Sequence, residues 1–584
     1  MATPKRRTLR PRLHNLRRQL SYLDALPQLT ILCLVAGVAA AVVIIIFRAS
    51  IVLPLTAWLG HPEDFESLGV TGRFLVPLLG ALLLGLLMQL LPSRLHKVGV
   101  THVLDRLHNH QGHLPWQHFA VQFAGGVLSL VSGQSVGREG PAVHLGAGSA
   151  SLVGQWLKIP NNSLRVMVAA GVAAAISAAF NTPLAGVVFA MEVVLLEYTI
   201  AGFIPIIIAS FAGSLLSRLA FGADSVFYVQ SVPLAHFTEL PYMMLAGIAI
   251  GTVAIIYSRL LSLGNFVARW PIMLRISVAG LFTAAVATQV PEVLGMGYDT
   301  LATAMAGELG LQLLLVIIIA KLLTTGISLS FGIPGGLIGP TIFIGGVVGA
   351  ALSYGGHWLY DEQASSVGFY VLLGMAAMFG AVLNAPLTAL ITILELTNNP
   401  NTIFPSMLVV VIACLCTRLG AGNKGIFQTL LRLQGRSFRS TGLTSELSRA
   451  GVFQVLTTNF VKARSAIDYS EAIQLLENKP LWIVLSDEVD KPKQLIKAAD
   501  LAKFLEKAPE AVLTLAEAIN LLEIPGQKSP LPPIHEQATL LEAYQLMKSE
   551  STDAIYVQNP RQLALESEVM GIVTREAVTN YYSL

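Results

Sequence analysis

Residues 137–146 read Gly-Arg-Glu-Gly-Pro-Ala-Val-His-Leu-Gly, and residues 336–345 read Gly-Leu-Ile-Gly-Pro-Thr-Ile-Phe-Ile-Gly. Gly, Gly-Pro and Gly coincide at an offset of 336 − 137 = 199. A second set follows each stretch. Gly171, Asn181, Pro183, Leu184 and Glu192 return in the same order and spacing as Gly374, Asn384, Pro386, Leu387 and Glu395, an offset of 374 − 171 = 203. Two related halves in tandem account for both coincidences. Pro141 suits the first turn of a helix, where its missing N–H would have had no intrahelical partner. A helix starting there turns its free amides, and roughly half a positive charge, toward Glu139.

The setting of these stretches is a membrane. The chain has 584 residues, 54% of them hydrophobic and 12% charged, with a mean hydropathy of +0.64. A water-soluble globular chain of this length carries far more charge. Apolar stretches without charge recur at 30–47, 74–91, 243–258 and 407–416,. The first runs on into 51–59 with no small-residue cleavage site, so it is expected to stay as a membrane helix,. Lys5, Arg6, Arg7, Arg10, Arg12, Arg17 and Arg18 precede it, and Arg418, Lys424, Arg432, Arg436 and Arg439 follow the last apolar segment. The positive-inside rule puts both ends in the cytoplasm and makes the crossings even in number. A basic leader next to a membrane segment argues against nucleic acid as its partner. Cys33, Cys414 and Cys416 all sit in apolar segments and lack disulfide or zinc spacing,.

Hydrophobicity falls after about residue 435. The expected organisation is a basic cytoplasmic N-terminus over 1–28, a membrane domain over 29–435, a linker over 436–449 and a soluble domain over 450–584. The fold class expected is an all-α polytopic membrane protein with two inverted-topology repeats, roughly 75–220 and 243–430, plus a small cytoplasmic α/β pair. Related halves in a membrane protein place a pathway at their interface, built from interrupted helices. Close packing through small residues is the alternative for the glycines. The soluble part also repeats. Ala472, Leu475 and Leu476 match Ala543, Leu546 and Met547 at an offset of 543 − 472 = 71, and strands are expected at 481–485, 554–557 and 569–574,.

A carboxylate at bilayer depth costs about 2.5–3.5 kcal/mol on insertion scales, so Glu139 needs a role. An anion-binding turn offers one: the glutamate occupies the anion's place when ionised and leaves it when protonated or displaced. A salt bridge with Arg138 is the competing reading. The second turn carries no charge, so Leu337 and Ile338 would contribute backbone N–H groups. Glu139, Glu192, Glu197 and Glu395 are too few and too scattered to hold a hard cation,. No nucleophile–base pair or metal-ligand set stands at a familiar spacing, which argues against an enzyme and against any required cofactor.

Together, Gly-Arg-Glu-Gly-Pro at 137–141, Gly-Gly-Leu-Ile-Gly-Pro at 335–340, Asn-x-Pro-Leu-Ala-Gly at 181–186 and Gly-Tyr at 297–298 resemble the CLC chloride channel and transporter family over roughly 75–430. The resemblance implies a homodimer with one pore per subunit, in a lipid bilayer, expected to be a bacterial inner membrane. Glu139 would be the gate, with chloride as the bound ion and Gly137, Arg138, Gly140, Leu337 and Ile338 around it. Phe427 falls where the family has a pore-lining tyrosine and cannot donate its hydroxyl bond. Val98 falls where the family has an anion-selecting serine. Val193 stands where antiporters of the family carry an inner, proton-relaying glutamate. That favours passive, channel-like conduction, with proton-coupled chloride exchange as the alternative. The adjacent Glu192 has its repeat partner Glu395, which argues for a structural role. The soluble part resembles a tandem pair of CBS domains, which implies an adenine nucleotide as a candidate ligand. Thr574 and Glu576 would make the ribose contacts, with Asp500 as a weaker counterpart.

Overall fold

The computed structural model describes residues 17–21, 25–62, 64–222, 234–422, 425–436, 442–486, 492–507, 518–558 and 569–583. Lys5 to Arg12, Lys424, Arg439 and most of the first half of the expected linker lie outside them. The chain divides into two compact units. One holds 29–156 and 165–438; the other holds 1–28, 157–164 and 439–584.

The larger unit is helical. Its longer helices are α1 (Leu26–Leu59), α2 (Val70–Leu90), α3 (Gly99–Asn109), α4 (Trp116–Val131), α5 (Glu139–Leu157), α6 (Asn161–Phe180), α7 (Pro183–Phe189), α8 (Ile200–Phe221) and α9 (Leu240–Leu261). They continue as α10 (Ile272–Ala287), α11 (Tyr298–Ala306), α12 (Leu311–Ser330), α13 (Ile338–Tyr360), α14 (Val367–Leu383), α15 (Pro386–Thr397), α16 (Ile403–Ala421) and α17 (Ile426–Leu433). Among the described residues, 8 helices are long and apolar enough to cross a bilayer, and the four apolar stretches read from the sequence all fall in them. A helix apolar on every side is buried by its neighbours. That is the fate of α6 and α14, whereas α1 and α2 leave Ile31, Leu53, Leu79 and Leu83 more than half exposed.

The matched segments of the sequence share backbone geometry. Before α5 the chain leaves α4 by Ser132 N–H to Leu128 O and Gln134 N–H to Ser129 O. Before α13 it leaves α12 by Phe331 N–H to Ile327 O and Ile333 N–H to Ser328 O, each 199 residues on. Gly133 and Gly332 both take positive φ, 67° and 97°, which a side chain would resist. Asn181 and Asn384, which end α6 and α14, sit at φ 58° and 57°. Packing matches too. Gly146 touches Gly171 where α5 crosses α6, and Gly345 touches Gly374 where α13 crosses α14; a Cβ at any of the four would collide with backbone. The small-residue explanation is therefore right for these four glycines. The equivalently placed Gly-x-x-Gly-Pro turns do something else.

The smaller unit contains α18 (Gly442–Arg449), β1 (Phe460–Arg464), β2 (Ala466–Ile467), α19 (Tyr469–Glu477), β3 (Trp482–Ser486), β4 (Pro492–Lys497) and α20 (Ala498–Lys507). Then come β5 (Ile519–Asn520), β6 (Ser529–Pro530), β7 (Pro533–His535), α21 (Leu540–Ser549), β8 (Ala554–Gln558), β9 (Val569–Thr574) and α22 (Arg575–Ser583). The 71-residue register holds: Asp468 and Glu471 form a capping box on α19, and Thr539 and Glu542 form one on α21, with 539 − 468 = 71. Each box satisfies two amides that the helix start leaves free. After each of these helices comes a strand that pairs parallel with the one before it (β1·β3, β7·β8) and antiparallel with the one after it (β3·β4, β8·β9). Val484, Leu495, Tyr556 and Ile572 form one buried cluster across the two modules.

Candidate functional site

The two Gly-x-x-Gly-Pro turns meet. Gly137 N–H donates to Gly336 O at 2.7 Å and Gly336 N–H returns a bond to Gly137 O at 2.6 Å. This reciprocal pair draws the N-termini of α5 and α13 together. Ser129 Oγ, donating to Pro334 O at 2.6 Å, and Ser135 Oγ, 2.8 Å from Thr325 Oγ1, pin the approaching chains. A shared region of amide-rich, positive potential results.

Glu139 puts its side chain into it. The residue is 2% exposed, and its carboxylate faces the backbone amides of Glu139 and Gly339. Tyr298 Oη donates to Oε1 at 3.3 Å, and Oε2 accepts no bond among the described residues. Glycines make the room. A Cβ on Gly339 would stand 2.6 Å from Oε1, one on Gly336 3.0 Å from Oε2, and one on Gly137 would overlap Oε2. No ion pair joins Arg138 to Glu139 among the described residues, so the salt-bridge reading fails. The Arg138 guanidinium instead lies 4.7 Å from the centre of the Phe180 ring.

The other expected residues distribute around two cavities. A cavity of about 640 Å³ is lined by Val98, Gly140, Leu337 and Phe427, with His102 and Arg436. A second, of about 30 Å³, has Glu139, Ile338, Tyr298 and Phe180 in its wall. At each helix start, neighbouring residues thus face different cavities, Gly140 and Leu337 the large one, Glu139 and Ile338 the small one. The Glu139 turn stands between them. Val98 caps the start of α3 and Phe427 lies in the first turn of α17. Thr574 and Glu576 sit at the junction of β9 and α22, where Thr574 Oγ1 accepts the Ala577 N–H at 3.2 Å. Asp500 is in the first turn of α20.

Glu192 and Glu395 work reciprocally. Glu192 accepts the N–H groups of Leu387 (3.3 Å) and Thr388 (2.7 Å) and the Thr388 hydroxyl (2.6 Å) at the start of α15. Glu395 accepts those of Leu184 (2.9 Å) and Ala185 (2.8 Å) at the start of α7. Each half's carboxylate therefore caps a helix of the other. Val193, in the π-turn Ala190–Leu195, is buried and apolar.

Lys321 was not singled out in the sequence, although a lone lysine in the apolar α12 was a visible signal. It is fully buried and donates to Val293 O and Gly295 O at 3.0 Å each, and to Glu292 O at 3.4 Å, with its Nζ 4.7 Å from the Phe343 ring centre. The carbonyls it gathers lie three to six residues before Tyr298, whose hydroxyl reaches Glu139.

A sequence profile described as "Voltage gated chloride channel" matches residues 79–418. The chain belongs to that family. Among its relatives, a ClcB-like protein of Ralstonia nicotianae is 30% identical over 413 residues, 69% of this chain and 95% of that one. The H(+)/Cl(-) exchange transporter ClcA of Vibrio cholerae is 29% identical over 326 residues, 54% of this chain and 69% of that one. In fold, the chain is similar to a slow cyanobacterial Cl-/H+ antiporter seen by X-ray crystallography, with a TM-score of 0.63 at 21% identity, over 70% of this chain and 97% of that one. As a member of the family, this chain is a multi-pass membrane protein of anion transport, and Glu139 lies within the matched region.

Proposed function

We propose that this chain exchanges chloride, or another small anion, for protons across a bilayer, with Glu139 as the gate. The observation that carries the reading is the seat of the Glu139 carboxylate. It lies among backbone amides at two converging helix starts, in a space opened by glycines and bounded on either side by a cavity. Such a seat suits any small anion, and an ionised glutamate is one. Protonation removes the charge that holds the side chain there, so proton uptake and anion entry become alternatives at one place. Val193 favoured passive conduction in the sequence, but the name of the Vibrio relative favours exchange, and passive conduction is the second reading. Leu337 and Ile338 amides and the Gly137–Gly140 turn would hold the anion; Val98 and Phe427 give its path an apolar wall.

The finer architecture belongs to the same proposal. The shared turns, positive-φ asparagines and reciprocal caps support two inverted repeats. The repeated β-α-β-β order supports a CBS pair, for which an adenine nucleotide near Thr574 and Glu576 is a candidate ligand. A second copy of the chain is the expected partner, with both termini cytoplasmic and, as for bacterial relatives, the inner membrane as the site. The test uses liposomes under a chloride gradient. Exchange drives protons uphill in fixed proportion to chloride; Glu139→Ala retains chloride flux and abolishes the proton movement. Chloride flux with no uphill protons in the unmodified protein would leave passive conduction, and unchanged proton flux in the variant would remove the gate.

A further inference from the structure

A buried histidine pair joins the large cavity to the helix that begins at Glu139. His102, on α3, lines the cavity, and its Nδ1 lies 2.9 Å from Nε2 of His144 on α5. Their exposures are 5% and 1%. His144 follows Gly140 by four residues, so it shares the helix face that looks into that cavity. In a hydrogen-bonded pair of neutral imidazoles one ring nitrogen donates and the other accepts, whichever tautomers are present. His144 has its second nitrogen, Nδ1, buried with no hydrogen-bond partner among the described residues. Most buried polar atoms have a partner, so this nitrogen is open to a further one.

We propose that His102 and His144 are the proton relay between the cavity and Glu139, a proposal that rests on the exchange reading above. Glu139 is buried, so a proton from the cavity needs a relay of side chains or water to reach it. Val193 holds no proton, and the carboxylate of Glu192 is engaged by Leu387 and Thr388. The histidines have the required connectivity. A hydronium ion in the cavity gives its proton to Nε2 of His102. The Nδ1 proton of that imidazolium passes along the 2.9 Å bond to Nε2 of His144. His144 then releases its own Nδ1 proton to the Glu139 carboxylate, which becomes neutral, as do both rings. Rotation of the rings, or passage in the opposite direction, restores the starting tautomers. Glu139 lies five residues before His144, about 7.5 Å along the helix axis and about 140° around it, and faces the smaller cavity, so the last transfer requires the glutamate to leave its seat and swing toward the Gly140 face.

The groups facing the pair are few. His118 of α4 stacks on His102 with ring centres 4.3 Å apart, its Nδ1 2.9 Å from the Lys97 carbonyl. Asp105 of α3 is paired with Arg436 at 2.7 Å, and Arg106 adds positive charge near His102. His118 stacks beside the route without standing in it.

The experiment measures chloride and proton fluxes together for the full chain in liposomes. His144→Gln and His102→Gln are expected to cut chloride-driven proton flux by at least about tenfold while chloride flux persists. His102→Glu, which restores a protonatable group at the cavity wall, is expected to recover proton flux. His118→Gln is expected to keep the proton-to-chloride ratio. An unmodified protein that moves no protons uphill overturns the exchange reading and the relay together. An unmodified protein that does so, with both glutamine variants matching its ratio, overturns the relay alone. If His144→Gln does not fold, His102 decides: coupling lost in the glutamine and kept in the glutamate variant supports the relay, and equal coupling in the two refutes it.

Discussion

Glu395→Ala tests whether the two matched carboxylates hold the halves together or move protons. The variant removes an acceptor from the Leu184 and Ala185 amides, bonds of 2.9 and 2.8 Å at the start of α7. Hydrogen bonds to a charged acceptor contribute about 1.5–3 kcal/mol each, and the site is half-buried, so the lower end applies. The expected loss is about 3 kcal/mol. Two orphaned amides account for it, since α7 begins with Pro183 and Glu395 supplies acceptors from another helix. Glu395→Gln keeps a single acceptor oxygen for the two backbone amides and loses the favourable charge at a helix start, about 0.3–1 kcal/mol, so it falls between. Thermal unfolding of the purified protein in detergent reads the effect, expected on the order of 5 °C for the alanine variant and less for glutamine. Surviving protein is expected to keep the proton-to-chloride ratio of the original. Unchanged unfolding temperature with lost proton coupling would refute the reasoning and make Glu395, and by symmetry Glu192, part of the transport path.

Three further outcomes follow from the geometry. Gly339→Ala places a methyl group 2.6 Å from Glu139 Oε1, so the carboxylate cannot keep its seat; flux assays should show the proton-uncoupled behaviour of Glu139→Ala in a folded protein. Lys321→Met keeps the volume but removes the donor to three carbonyls, a cost of about 2–5 kcal/mol, read as lower thermal stability with weakened proton coupling through Tyr298. In the smaller unit, hydrogen bonds from the Glu471 amide and Ser470 hold Asp468 below the usual carboxylate value. Its contribution to α19 is therefore present above the unfolded value of 3.8 and disappears as pH falls through the lower, folded one,. Protection of the first-turn amides of α19 against hydrogen exchange, relative to their intrinsic rates at each pH, should fall across that range, and Asp468→Asn should flatten the dependence.

The sequence by itself determined the membrane setting, the break before Glu139 and the matched spacing of the two Gly-x-x-Gly-Pro stretches. Those rest on composition, on Gly-Pro chemistry and on offsets of 199 and 203, all local or periodic properties of the chain. It also placed α19, α21, β3, β8 and β9, because elements with one buried face write their burial as short alternating runs. Tertiary structure decided which groups meet. Glu139 and Tyr298 are 159 residues apart, Leu184 and Glu395 are 211, and His102 and His144 are 42. Gly339 is read in the sequence as part of a turn, and only the folded chain shows that its missing Cβ makes room for a carboxylate from the other half. In an apolar chain, hydrophobic periodicity cannot say which helix faces which. The partners are set by small-residue crossings and by where each helix leaves amides free, and both are properties of the packed molecule.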